Sequence, residues 1–154
     1  MRRLYDVINE PRGNLLRRLL RAVAEHSSSA ILVLRDDLGV SDTAISLLSA
    51  LEPHVIERRR SASWPGTTLL NEEATTIRFR PIAPVLDQLL SVAEGLYEWQ
   101  QPALPEDLAF LREDGTALLA SISHERDAFL DLDDDEYRAL IRVIPELPDL
   151  TRLP

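Results

Sequence analysis

The 154-residue chain has no cysteine and no lysine, three histidines and five glycines. Each shortage removes a class of chemistry. Without cysteine there is no structural disulfide, no thiolate metal ligand and no thiol nucleophile. Gly13, Gly39, Gly66, Gly95 and Gly115 each stand far from the next, so no glycine-rich loop lets backbone N–H groups approach a phosphate. His26, His54 and His124 lack the second histidine close in sequence that a paired-histidine metal motif needs. No G-x-S-x-G elbow presents a serine nucleophile. Local motifs therefore assign no catalytic residue, no metal and no cofactor.

Long apolar runs are also missing. None approaches the roughly 20 residues of a membrane-spanning helix. Met1-Arg2-Arg3-Leu4-Tyr5-Asp6 lacks the apolar stretch that follows the basic residues of a signal peptide. The expected compartment is the cytoplasm, with no membrane partner.

What is present is ordinary globular material: 45% hydrophobic and 28% charged residues, enough for a single α+β domain over 1–154 with its own core. All 17 basic residues are arginine, which codon bias explains better than selection for guanidinium bonding, a reading with no local motif behind it. The net charge of −9 is uneven. Residues 1–60 carry 10 Arg against 8 acids, whereas 61–154 carry 7 Arg against 18 acids. Thirteen of those acids lie between Glu94 and Glu136, opposed only by Arg112 and Arg126. Such a field disfavours nucleic acid and anionic membrane and favours a protein with a basic surface. Arg58-Arg59-Arg60 near Trp64 pairs guanidinium groups with a stacking ring, but three arginines make a poor phosphate footprint.

Hydrophobic spacing predicts the elements. Leu15, Leu16, Leu19, Leu20, Val23 and Ala24 share one helical face, with Asn14 as N-cap. Ala30–Leu34 reads as a strand buried on both faces. Ser41 or Asp42 caps a second helix running to Leu51. Residues 55–60 read as an edge strand, with Trp64-Pro65-Gly66 as the turn after it. Thr75, Ile77 and Phe79 alternate with Thr76, Arg78 and Arg80 as a half-solvated strand, and Pro84 opens a third helix. A meander follows through Leu108–Leu111, Ala117–Ser123 and Ala128–Leu132, with a tight turn at Asp114-Gly115. Asp133–Glu136 opens a last helix, where acids suit the macrodipole. The expected fold is α+β, with a mixed, mainly antiparallel sheet, about four helices on one side of it, and a C-terminal three-strand meander.

The run Asp131-Leu132-Asp133-Asp134-Asp135-Glu136 superficially resembles a calcium loop. Glu136 and Arg142 stand where an EF-hand needs glycine and glutamate, so that reading fails. It reads first as a helix start, then as an electrostatic contact surface, and last as a cation site. His124-Glu125 suggests a base and its orienter, although neighbours on a strand point to opposite faces.

The stretch Leu96-Tyr97-Glu98-Trp99-Gln100-Gln101-Pro102-Ala103-Leu104-Pro105-Glu106-Asp107-Leu108-Ala109-Phe110, with Asp114-Gly115 and Ser121-Ile122-Ser123-His124-Glu125 after it, resembles a recurrent pattern in small bacterial proteins. Some of those are similar to the immunity proteins that neutralise secreted polymorphic toxins. The resemblance covers residues 96–125. It implies a protein-binding module, an immunity- or antitoxin-like inhibitor that occludes a basic bacterial effector. Tyr97, Trp99, Glu106, Asp107, Asp131, Asp133, Asp134, Asp135 and Glu136 are the expected partner-binding residues. For the first four a structural reading stands beside this: Pro105 rigidifies the entry to a strand, Glu106 and Asp107 cap the turn, and the aromatics pack across the meander. The alternative function is a small hydrolase or transferase with a site around His124 and Glu125.

Overall fold

Eight strands pair into one antiparallel sheet, and alternation along each strand decides which residues face its two sides. The computed structural model describes residues 1–154. The order is β1 (Arg3–Val7), α1 (Gly13–Glu25), β2 (Ser29–Leu34), α2 (Asp42–Leu51), β3 (Val55–Ser61), β4 (Ser63–Trp64), β5 (Thr67–Thr68), β6 (Ala74–Phe79), α3 (Ala83–Val92), β7 (Glu106–Leu111), β8 (Ala117–Ile122), β9 (Asp127–Leu132), α4 (Asp134–Val143), α5 (Leu147–Leu150) and β10 (Thr151–Arg152). Across the sheet the strands run β10-β1-β9-β8-β7-β2-β6-β3, and β4 pairs with β5 as a separate hairpin. The fold is α+β, as the sequence predicts.

Ala30, Leu32, Ile77, Phe79, Leu108 and Phe110 point to one side, where they meet the buried faces of the helices in the main core. Ile31, Val33, Ala109, Leu111 and Ala120 point to the other, where Trp64 and Leu69 from the β4–β5 segment cover them. The run Ala30–Val33 is thus buried on both faces, under the helices and under the hairpin, and its in-sheet neighbours β7 and β6 are both antiparallel. The meander β7-β8-β9 lies in the middle of the sheet. No helix is long and apolar enough to cross a membrane.

Two local features differ from expectation, and a third, an expected turn, closes a small hairpin. Residues 3–7 form a strand between β9 and β10; five residues with little alternation carry no local signal, and pairing with β9 supplies the order. Arg12, not Asn14, stands at the N-cap of α1, and the Gly13 N–H donates to Glu94 O at 2.7 Å. The Trp64-Pro65-Gly66 turn is the tip of the β4–β5 hairpin. Gly66 has φ +87°, and a Cβ there would lie 2.6 Å from Ile122 Cδ1, so both conformation and close approach demand glycine.

Candidate functional site

Arg112, at the end of β7, joins the β7–β8 turn to the start of α4. Its Nε donates to Glu136 Oε2 at 3.0 Å and its Nη2 to Glu136 Oε1 at 2.7 Å. Nη1 donates to Ala117 O at 3.0 Å, and Nη2 also to Asp131 O. This bidentate, half-buried pair is the strong geometry for arginine and carboxylate. Asp133 and Glu136 complete a capping box, each carboxylate accepting the other residue's N–H at 2.8 Å. These two acids are therefore spent on structure.

The remaining carboxylates of this end, Asp131 apart, face solvent. Asp134 and Glu113 have no ion-pair partner, and Asp135, 94% exposed, meets only Arg138 on its own helix. Asp131 is half-buried, with Arg2 Nε 3.7 Å from its Oδ2. Asp114 accepts from the Thr116 hydroxyl and amide, which hold it below the usual carboxylate range. The turn acids Glu113 and Asp114 thus join the α4 acids at one end of the molecule. The sequence places Asp114 in a tight turn and gives Glu113 no role, because only the Arg112 bridge brings the two segments together.

Four expected contact residues lie elsewhere. Trp99 is fully buried and Tyr97 nearly so, which follows the packing reading and removes them as surface anchors. Burial, with the Asp127 and Glu10 carboxylates nearby, raises the Tyr97 hydroxyl to about 12. Its backbone N–H donates to Glu10 Oε2 at 2.9 Å, and Arg126 lies over its ring at 5.3 Å.

Glu106 and Asp107 are 4% and 2% exposed. They are the first two residues of β7, which runs between β2 and β8 in the middle of the sheet. Adjacent carboxylates predict solvent; here the sheet's centre overrides that preference. Asp107 Oδ2 accepts from Trp64 Nε1 at 2.9 Å and Oδ1 from the Ser123 amide at 3.0 Å. Glu106 Oε1 accepts from the Gln101 amide at 3.2 Å, and Oε2 has no partner. Burial raises both carboxyls above their usual range, against these donors, which favour the charged forms. Neither residue can form part of a surface contact in this fold.

His124 and Glu125 lie in a 3-10 turn between β8 and β9, with His124 Nε2 3.8 Å from Glu125 Oε1. Both side chains are exposed, and neither lines a surface cavity. No group of three His, Asp or Glu side chains is arranged to hold a metal.

The arginine run divides by strand alternation. Arg58 chelates Glu52, and Arg60 chelates Asp36, on the helix side. Arg59 points to the open side. There it borders a groove of about 280 Å³ between β3, β6 and the β4–β5 hairpin.

No protein-family model, curated protein or solved structure matches the chain.

Proposed function

We propose that the chain is a protein-binding module that engages a basic partner through its acidic end, in the manner of an immunity- or antitoxin-like inhibitor that occludes a cationic surface. One observation carries this reading: Arg112 gathers the β7–β8 turn and the start of α4 into one body while spending its own charge on Glu136. Glu113, Asp134 and Asp135 are left projecting from a rigid base. Carboxylates fixed on a folded surface steer a cationic partner and fix its register, at little ordering cost. The partner's arginines or lysines would meet this end in place of an anionic substrate.

The test is affinity capture with the native chain as bait beside a Glu113→Gln/Asp134→Asn/Asp135→Asn variant. The reading expects a basic protein that the native chain retains, that salt releases, and that the variant loses. Equal capture by both baits would overturn it.

A further inference from the structure

We propose that the open side of the sheet carries a second binding site, a groove that takes an extended acidic segment of a partner protein. One carboxylate of the segment sits between Arg59 and Arg78, and a neighbouring apolar side chain rests on Ile31, Trp64 and Leu111.

The charge balance along β3 points to this occupant. On the helix side each arginine of the strand has its own carboxylate, Glu52 for Arg58 and Asp36 for Arg60. On the groove side two arginines share one. Glu57 Oε2 lies 3.3 Å from Arg78 Nη2, and Glu57 Oε1 is 4.0 Å from Arg59 Nη1. Arg59 is 71% exposed at its side chain. The groove wall thus holds one guanidinium's worth of unmatched positive charge in a molecule of net charge −9. A guanidinium fork beside an apolar floor selects a carboxylate carried next to an apolar group.

The floor supplies the second half of the recognition. Ile31, Leu111 and Trp64 are the apolar lining of the cavity. Its volume of about 280 Å³ is just below the usual range of ligand pockets, which suits a few side chains of a peptide. Gly115 closes the far rim, and its turn carries Glu113 and Asp114. The groove is therefore polarised, with cations over β3 and β6 and carboxylates at the β7–β8 turn. An acidic segment is held at the first end and repelled at the second. The general negative field is screened beyond about 8 Å in physiological salt, so the local arginines decide. This site adjoins the acidic end at the β7–β8 turn but binds through different residues, Arg59 and Arg78, so the failure of either proposal leaves the other standing.

Two short capped peptides test it, Thr-Glu-Thr-Leu-Thr and the same sequence with Gln for Glu, titrated into the labelled full chain and followed by NMR. The glutamate peptide is expected to shift the Arg59 and Arg78 side-chain signals and the Trp64 indole, and to bind about 10-fold tighter than the glutamine peptide. Arg59→Gln, at an exposed position, should abolish that difference. Glu57→Gln, which frees both guanidiniums, should tighten the glutamate peptide about 3-fold or more. Equal binding of the two peptides, weakening by Glu57→Gln, shifts confined to another surface, or preference for a single-stranded oligonucleotide would each overturn the proposal.

Discussion

The indole Nε1 of Trp64 donates to Oδ2 of Asp107 at 2.9 Å, and both residues are buried. That bond ties the β4–β5 hairpin to the start of β7 (Glu106–Leu111). Because Asp107 Oδ1 also accepts from the Ser123 amide, one carboxylate holds the hairpin, the central strand and the turn that carries His124.

Trp64→Phe leaves a buried carboxylate with one donor in place of two. The expected cost is about 1–3 kcal/mol in urea denaturation. Asp107→Leu, of similar size, removes the acceptor of both N–H donors and should cost at least as much. Because both changes break the same bond, the double variant should lose less than the sum. Strict additivity would show that the bond contributes nothing.

Glu106 makes stability depend on pH in a direction opposite to that of most carboxylates. Its carboxyl is raised in the folded protein by burial, so it binds its proton more tightly there than in the unfolded chain. Its contribution is complete below about pH 4.3 and is lost as pH rises through the folded-state value. Glu106→Gln keeps the acceptor for Gln101 and removes the buried charge. The variant should exceed the native chain in urea midpoint near pH 8 and converge with it near pH 4. Glu146, held down to about 2 by Arg18, works in the opposite sense: its contribution is present above about pH 4.3 and lost as pH falls towards 2. That term cancels when the two chains are compared. A gap that widens towards acid would contradict the assignment.

Arg112→Ala removes the bridge between the β7–β8 turn and α4 (Asp134–Val143) and strands Glu136, whose side chain is 16% exposed. The expected loss is about 2–4 kcal/mol. Arg112→Lys should recover less than half, because an ammonium cannot form the fork to both Glu136 oxygens. Hydrogen exchange should quicken at Thr116 and in the first turn of α4 before the rest of the sheet. Unchanged exchange there would show that Arg112 does not hold this end together.

Much of the fold was legible because its signals are local. Ala30–Leu34 is apolar at every position, Ile77 and Phe79 alternate with Thr76 and Arg78, and Ser41 caps α2 (Asp42–Leu51) through the Ala44 N–H. The Asp133–Glu136 capping box is likewise a spacing of three residues. Residues 3–7 and the two-residue strands of the hairpin gave no such signal, since distant partners order them. The candidate site was harder for the same reason. Glu106 and Asp107 look like surface acids, and only the position of their strand between β2 (Ser29–Leu34) and β8 (Ala117–Ile122), with donors from Gln101, Trp64 and Ser123, buries them. The Arg58-Arg59-Arg60 cluster is a cluster in sequence alone, because successive residues on β3 (Val55–Ser61) face opposite sides.

The acidic end is the central claim, and association kinetics test it most directly. The captured basic partner is mixed with the native chain and with the Glu113→Gln/Asp134→Asn/Asp135→Asn variant over a series of salt concentrations. The native association rate should fall steeply as salt rises, and the variant should associate at least 10-fold more slowly in low salt with a flatter dependence. Equal rates and equal salt slopes for the two chains would contradict the account.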